Sequence, residues 1–177
     1  MAPSHAISVL LDDDLLAFNR AIGVVRRRNL AIESISLGAS QVAGVSRLTF
    51  MMQADEASAD RLVRQLQKTF GVREAVMFPA EAAVAREVAL IKVNAPSPRD
   101  RPDLLGVVSQ FKASVVHEGP GVCIVEIAGT ASLTASCIKA LERFGIVEIA
   151  QSGAVALRGA DGASPSPSST HPSEAVP

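Results

Sequence analysis

Two short apolar segments joined by one amphipathic stretch constrain this chain most. Residues 6–11 read Ala-Ile-Ser-Val-Leu-Leu, and residues 32–37 read Ile-Glu-Ser-Ile-Ser-Leu. Apolar side chains alternate with small polar ones in both segments, which predicts two strands. A strand, a helix and a second strand within so short a length form the first half of a ferredoxin-like βαββαβ unit.

The stretch between these strands has the features of a helix. Asp12-Asp13-Asp14 ends the first strand and supplies carboxylates for an N-cap, whereas Arg26-Arg27-Arg28 closes the helix, and both charges suit the helix dipole. Apolar residues recur at intervals of three and four, which predicts one buried stripe made of Leu15, Phe18, Ile22 and Val25.

The remaining elements of the unit follow in order. Strands are predicted over 31–38 and 45–54, a helix over 56–69, and a strand over 72–78. Gly71 stands where a helix C-cap is expected. The inner side of the second helix is predicted to carry Ala59, Leu62, Val63, Leu66 and Phe70.

A second unit begins near Arg86. Its strands are predicted from 86, from 115, over 122–128, over 146–150 and over 154–157, with helices over 103–111 and after Thr130. The inner positions of the last helix are predicted to be Leu133, Cys137, Leu141 and Phe144. The fold class is therefore α+β, with ferredoxin-like domains at 5–79 and 86–159. Residues 160–177 are rich in Ser, Pro, Ala and Gly and are predicted to form a disordered tail.

Composition excludes several classes of protein. The net charge is −1 and the chain has no Trp, no Tyr and six Phe, which argues against nucleic-acid and anionic-membrane partners. The N-terminus has neither a basic region nor a long apolar run, so we expect a cytoplasmic protein without a signal peptide. Cys123 and Cys137 are interpreted as buried thiols, because two cysteines without a histidine pair make no zinc site.

No catalytic constellation is present in the sequence. His5 at the start of a strand and His117 before a turn are interpreted as exposed histidines, and Glu33 as an exposed edge carboxylate. The Asp12-Asp13-Asp14 run lacks the spacers and the glycine of a cation-binding loop, so capping explains it better than metal binding. We therefore expect no catalytic residue, no metal and no cofactor on this chain.

Several spaced segments resemble a known family. They are Ser8-Val9-Leu10-Leu11, Asn19-Arg20-Ala21-Ile22-Gly23, Ser46-Arg47-Leu48-Thr49, Arg86-Glu87-Val88-Ala89-Leu90-Ile91-Lys92-Val93, Val125-Glu126-Ile127-Ala128-Gly129-Thr130 and Ile146-Val147-Glu148-Ile149-Ala150-Gln151-Ser152-Gly153. Together with Ile32-Glu33-Ser34-Ile35 they resemble the small, regulatory subunit of acetolactate synthase (acetohydroxyacid synthase), over about residues 5–159.

The resemblance implies an N-terminal ACT domain and a non-catalytic role. Such subunits form homodimers, bind the large catalytic subunit, raise its activity and commonly transmit valine feedback in valine, leucine and isoleucine biosynthesis. Thiamine diphosphate, Mg and FAD are expected on that catalytic partner and not on this chain.

The resemblance also places a branched-chain amino acid effector at the loop before the first helix. The family has an Asn and, three residues later, a Gly at the positions of Asp13 and Leu16, and often an Asn at the position of Ala31. A leucine adds bulk and clustered aspartates repel a ligand carboxylate, so we expect valine feedback to be weakened or lost. The candidate effector-binding residues, in a degenerate site, are Asp13, Asp14, Leu15, Leu16, Ala17, Ala31 and Ile32.

Other functions remain open at this point. One alternative is a stand-alone ACT-type amino-acid-binding module that regulates another protein. A transcription regulator would need a helix-turn-helix or a basic face, and neither is present in the sequence. An independent enzyme would need a nucleophile, base, metal set or cofactor loop.

Overall fold

The first half of the chain forms a four-stranded antiparallel sheet with two helices on one face. The computed structural model describes residues 3–94 and 101–159, so the predicted tail at 160–177 lies outside the described residues. The elements of this half are β1 (Ser4–Asp12), α1 (Leu15–Arg27), β2 (Ala31–Ala39), β3 (Val45–Gln53), α2 (Glu56–Gln67) and β4 (Val72–Pro79). The strand order is β2-β3-β1-β4, which leaves β2 and β4 at the edges.

The second half repeats this pattern and adds one strand. After a 3-10 turn at Ala80–Ala82, its elements are β5 (Ala83–Asn94), α3 (Arg101–Gln110), β6 (Ser114–Gly119), β7 (Val122–Gly129), α4 (Ala131–Leu141), β8 (Ile146–Gln151) and β9 (Val155–Arg158). The main sheet has the order β6-β7-β5-β8, and β9 pairs with the first part of β5. The predicted α+β class with two ferredoxin-like βαββαβ units is therefore confirmed.

Each sheet buries the side chains of one face under its two helices. In the first half Ile7, Val9, Leu48 and Phe50 have no exposed surface and pack against the buried face of α2, which carries Ala59, Leu62, Val63 and Leu66. In the second half the corresponding layer includes Ala89, Ile91, Val93, Val125 and Leu141. Burial of such aliphatic side chains supplies most of the favourable free energy of folding.

The predicted buried stripe of α1 is confirmed at Val25, is only partly buried at Phe18 and Ile22, and is wrong at Leu15. Leu15 is 72% exposed, and the residues of α1 that the core buries are Ala17, Ala21, Val24 and Val25. Phe18 and Ile22 are only partly buried against the core. The two small alanines let the helix backbone approach the sheet closely, and Leu15 and Phe18 lie beside Leu37 of β2.

Three other burial predictions also fail. Phe70 is 79% exposed because it follows the last turn of α2, and the Arg20 guanidinium lies 5.1 Å from its ring centroid. Leu133 is partly exposed at the start of α4, whereas Cys137 and Leu141 are buried as predicted. His5 is buried because β1 lies between β3 and β4, and its Nε2 stands 3.1 Å from the Ala54 carbonyl oxygen.

The two halves meet on the open face of the first sheet. The ribbon formed by β9 and the first residues of β5 covers part of that face, where Ala6, Phe78 and Ala156 form a small buried cluster. The described part of the chain therefore has two helix-covered cores joined by a strand ribbon.

Across residues 3–94 and 101–159, none of the helices has the length and the apolar character needed to span a membrane.

Candidate functional site

The three aspartates between β1 and α1 each have a separate partner. Asp12 Oδ1 accepts a hydrogen bond from Arg73 Nε at 2.7 Å, and Asp13 Oδ1 accepts one from Ser46 Oγ at 2.7 Å. Asp14 Oδ1 accepts a hydrogen bond from the Ala17 backbone N–H at 2.6 Å. Capping was therefore the correct interpretation of Asp14. In the part of the chain that the structure describes, no group of three or more metal-ligating side chains converges.

The capping carboxylate changes what the helix N-terminus can bind. A helix N-terminus normally offers free N–H groups and a partial positive charge to an anion. Here Asp14 already occupies the Ala17 N–H, and Ala17 itself is fully buried. A ligand carboxylate that uses the Ala17 N–H would have to displace Asp14, and one bound elsewhere in the first turn would lie beside its negative charge.

A depression of about 260 Å³ lies beside this loop. It is lined by Leu11, Asp12, Asp13, Asp14, Leu15, Phe18, Leu37 and Ser46. Among the predicted effector residues it thus brings together Asp13, Asp14 and Leu15. Leu16 is not part of the lining, and its side chain is 63% exposed.

The last two predicted effector residues lie at the opposite end of the sheet. Asp12 pairs with Val45 at the start of β3, whereas Ala31 pairs with Gln53 at its end. A strand rises about 3.4 Å per residue, so these ends are roughly 27 Å apart. One copy of the chain therefore does not assemble all seven predicted residues into one site.

The β2 edge next to the depression carries exposed apolar side chains. Ile35 is 41% exposed and Leu37 is 48% exposed, and the exposed side chain of Leu15 stands at the same margin of the domain. The apolar spacing of α1 predicted that Leu15 lies in the core, and this exposed surface was not predicted. Ile35 and Leu37 alternate with serines along β2, and this pattern could have predicted an apolar edge. An edge strand leaves such side chains partly exposed.

A second feature that the sequence analysis missed is the polar open face of the first sheet. Ser8, Arg47 and Thr49 alternate with buried apolar neighbours and therefore point away from the helices. Ser8 and Thr49 are nonetheless buried, and Arg47 Nη1 donates a hydrogen bond to Ser8 Oγ at 2.6 Å. The polar residues that alternate with apolar ones along β1 and β3 were the sequence signal for this face.

Comparisons with known proteins agree with this architecture. The family model for the small subunit of acetolactate synthase matches residues 86–159. The acetolactate synthase small subunit of Mycobacterium bovis is 36% identical over 158 residues, which is 89% of this chain and 94% of that protein. The small subunit of Bacillus subtilis is 35% identical over 140 residues, covering 78% of this chain and 81% of that protein.

A solved structure extends the likeness to three dimensions. The crystal structure of the acetolactate synthase small subunit from Thermotoga maritima superposes with a TM-score of 0.81 at 28% sequence identity. The match covers 88% of this chain and 96% of the Thermotoga chain. Both halves of the chain are therefore similar to acetolactate synthase small subunits.

Proposed function

Because this chain belongs to the family of acetolactate synthase small subunits, we propose that it binds and activates a thiamine-diphosphate-dependent large subunit in valine, leucine and isoleucine biosynthesis. The observation that carries the proposal is the similarity over nearly the whole length of full-size relatives, across both halves of the fold. On this proposal the condensation of 2-oxo acids takes place on the partner, and thiamine diphosphate, Mg and FAD bind there.

The chain is proposed to act as a homodimer through the β2 edge. Two copies whose β2 strands pair antiparallel, related by a two-fold axis perpendicular to those strands, would bury Leu15, Ile35 and Leu37 against each other. The same arrangement brings the β1–α1 loop of one copy toward Ala31 of its partner. The effector residues that one copy keeps apart would then form one composite site.

Weak valine feedback is part of the proposal. Asp14 occupies the Ala17 N–H that would otherwise be free for an effector carboxylate. The exposed side chains of Leu15 and Leu16 add bulk where the family has room for a ligand. Ala31 also lacks the side-chain amide that the family often has at this position, and each lost hydrogen bond to a charged ligand costs about 1.5 to 3 kcal/mol, so the two losses together lower the affinity for valine well over tenfold.

Complex formation tests the partner. The large subunit from the same organism is mixed with this chain, and the mass of the complex is measured by light scattering after gel filtration. A stoichiometric complex supports the proposal. Failure of the two proteins to associate at micromolar concentration contradicts it and favours a stand-alone amino-acid-binding module.

The homodimer has its own test. Leu37→Lys places a charge on the β2 edge and is expected to convert a dimer into a monomer in light scattering. Leu105→Lys is the matched control, because Leu105 is similarly exposed on α3. Equal masses for the two variants would contradict a β2-edge dimer.

A further inference from the structure

A cavity of about 490 Å³ lies on the open face of the first sheet, beside the β5–β9 ribbon. The walls come from β2, β3, β5 and β9, and the residues that carry its chemistry are Arg47, Thr49, Arg86, Leu37, Val84 and Leu157. Leu37 is the one lining residue that this cavity shares with the depression at the β1–α1 loop. The two sites are otherwise separate.

The two charged residues that line this cavity are both arginines, and Arg47 also lines an adjoining pocket that Glu74 borders. Arg47 and Arg86 both line the cavity itself, and its lining contains no carboxylate side chain. Arg47 donates to two neutral acceptors, Ser8 Oγ at 2.6 Å and Gln41 Oε1 at 3.4 Å, and Arg86 Nη1 donates to the Ala85 carbonyl oxygen at 2.7 Å. Neither arginine belongs to any of the ion pairs found among residues 3–94 and 101–159.

Both guanidinium groups therefore keep donors for another acceptor. A guanidinium carries five N–H donors in a planar fork, and the bonds named above use two from Arg47 and one from Arg86. The remaining donors suit a carboxylate, whose two oxygens accept charge-assisted hydrogen bonds in the same plane. Arg47 is half-buried, so water screens its charge less than it would on an open surface.

The rest of the lining is mostly apolar, and Ser36 and Thr49 are its neutral polar members. Leu37, Val84, Val155 and Leu157 supply aliphatic surface, and Gly38 and Ala39 leave room above β2. A cavity of this size lies within the range of small-molecule sites, which are mostly apolar with a few convergent polar groups. The lining therefore matches a ligand that has a compact aliphatic body and one anionic end.

We propose that this cavity binds a small aliphatic carboxylate through Arg47 and Arg86. The site lies outside the predicted effector loop and does not depend on the proposed catalytic partner, and its β2 wall includes Leu37 of the proposed dimer edge. The aliphatic lining favours a carboxylate with a hydrocarbon chain over inorganic phosphate, which would leave that lining unfilled. An acidic side chain of a partner protein is the competing occupant.

Isothermal titration of the full-length protein with isovalerate tests the site. Isovalerate has a branched aliphatic body and a carboxylate but no ammonium group. Arg47→Gln and Arg86→Gln are each expected to weaken binding at least tenfold. Arg61→Gln, which removes a positive charge from an exposed position on α2, is the matched control and is expected to bind as the unchanged protein does.

A steric variant tests the site without removing charge. A Cβ added to Gly38 meets no atom within 4 Å, and Gly38 pairs with Arg47 on the open face. Gly38→Val therefore fills the cavity on a strand that tolerates a β-branched side chain, and it is expected to abolish isovalerate binding. Far-UV circular dichroism checks that each variant is folded.

Several results would overturn the proposal. One is the absence of isovalerate binding at millimolar concentration. Another is binding that survives both Arg47→Gln and Gly38→Val, since the ligand would then lie elsewhere. A third is inorganic phosphate binding as tightly as isovalerate. If isovalerate does not bind but Arg47→Gln weakens association with the large subunit, the arginines serve a protein partner and the ligand proposal is wrong.

Discussion

Gly153 lies against the backbone of Ile35, so that a Cβ added to Gly153 would stand 2.0 Å from the Ile35 carbonyl oxygen. The next residue, Ala154, donates its backbone N–H to Ser34 Oγ at 3.2 Å. These contacts join the loop between β8 and β9 to β2, which is far away along the chain. The glycine at position 153 is therefore what allows the second half to reach the first sheet.

Gly153→Ala is expected to weaken this junction. The new methyl group meets a backbone oxygen that cannot rotate away, so the loop must move, at a cost of about 1 to 3 kcal/mol in the free energy of unfolding. Urea denaturation measures the cost, and hydrogen exchange at residues 34–36 reports the junction itself. Gly159→Ala is the control, because its Cβ would lie 3.4 Å from the nearest atom, Ala82 O. Equal losses in the two variants would contradict this role for Gly153.

The cap of α1 gives a second prediction. Asp14→Ala removes the acceptor of the Ala17 N–H and is expected to lower the free energy of unfolding by about 1 kcal/mol. Asp14→Asn keeps an oxygen acceptor without the charge and is expected to retain most of the stability. Thermal and urea denaturation of the three proteins measure the difference. Two variants with the same stability would show that the charge of Asp14, and not its hydrogen bond, matters.

Substitution of Gly71 and Gly44 distinguishes the cost of an unfavourable backbone conformation from the cost of a steric clash. Both have positive φ, +87° and +72°, which favours glycine over other residues. A Cβ on Gly71 would also lie 2.7 Å from the Ala17 Cβ, whereas a Cβ on Gly44 meets nothing within 4 Å. Gly44→Ala is expected to cost about 1 kcal/mol in unfolding free energy, and Gly71→Ala clearly more. A smaller loss for Gly71→Ala would contradict the close packing of α1 on the α2–β4 turn.

The two cysteines are expected to be poor nucleophiles in the folded protein. Burial raises the pKa of the Cys137 thiol, and burial together with the nearby Glu118 carboxylate raises that of Cys123. A raised pKa lowers the thiolate fraction at neutral pH, and the thiolate is the reactive form. Reaction with a disulfide reagent at pH 8 should be slow until urea unfolds the chain. Rapid reaction of either thiol in the folded protein would contradict this expectation.

The order of strands and helices was accessible from the sequence because local patterns carry it. Alternation along β1 and β3 and the Thr130 cap each predict one element, and the structure contains all of them. Depth of burial was less accessible. The apolar spacing of α1 predicted a buried Leu15, but the buried face is rotated toward Ala17 and Ala21 and shares only Val25 with the predicted stripe. That choice depends on the distance between helix and sheet, which no local pattern encodes.

The candidate sites depend even more on long-range packing. That Ala31 lies far from the β1–α1 loop follows from strand register, which the sequence analysis did not resolve. The cavity beside Arg47 exists only because β9 returns to pair with β5 above the first sheet. Its second arginine, Arg86, comes from the other half of the chain. Both arginines lie in segments that carry the family resemblance, but neither segment indicated a ligand site.

The most direct measurement is the rate of acetolactate formation by the large subunit from the same organism. The rate is measured for the large subunit alone, with this chain, and with this chain plus millimolar valine. We expect a higher rate with this chain and little inhibition by valine, because in the proposed effector site Asp14 occupies the Ala17 N–H and Leu15 and Leu16 add bulk. No activation would contradict the role as a regulatory subunit, and activation that valine abolishes would contradict the loss of valine sensing.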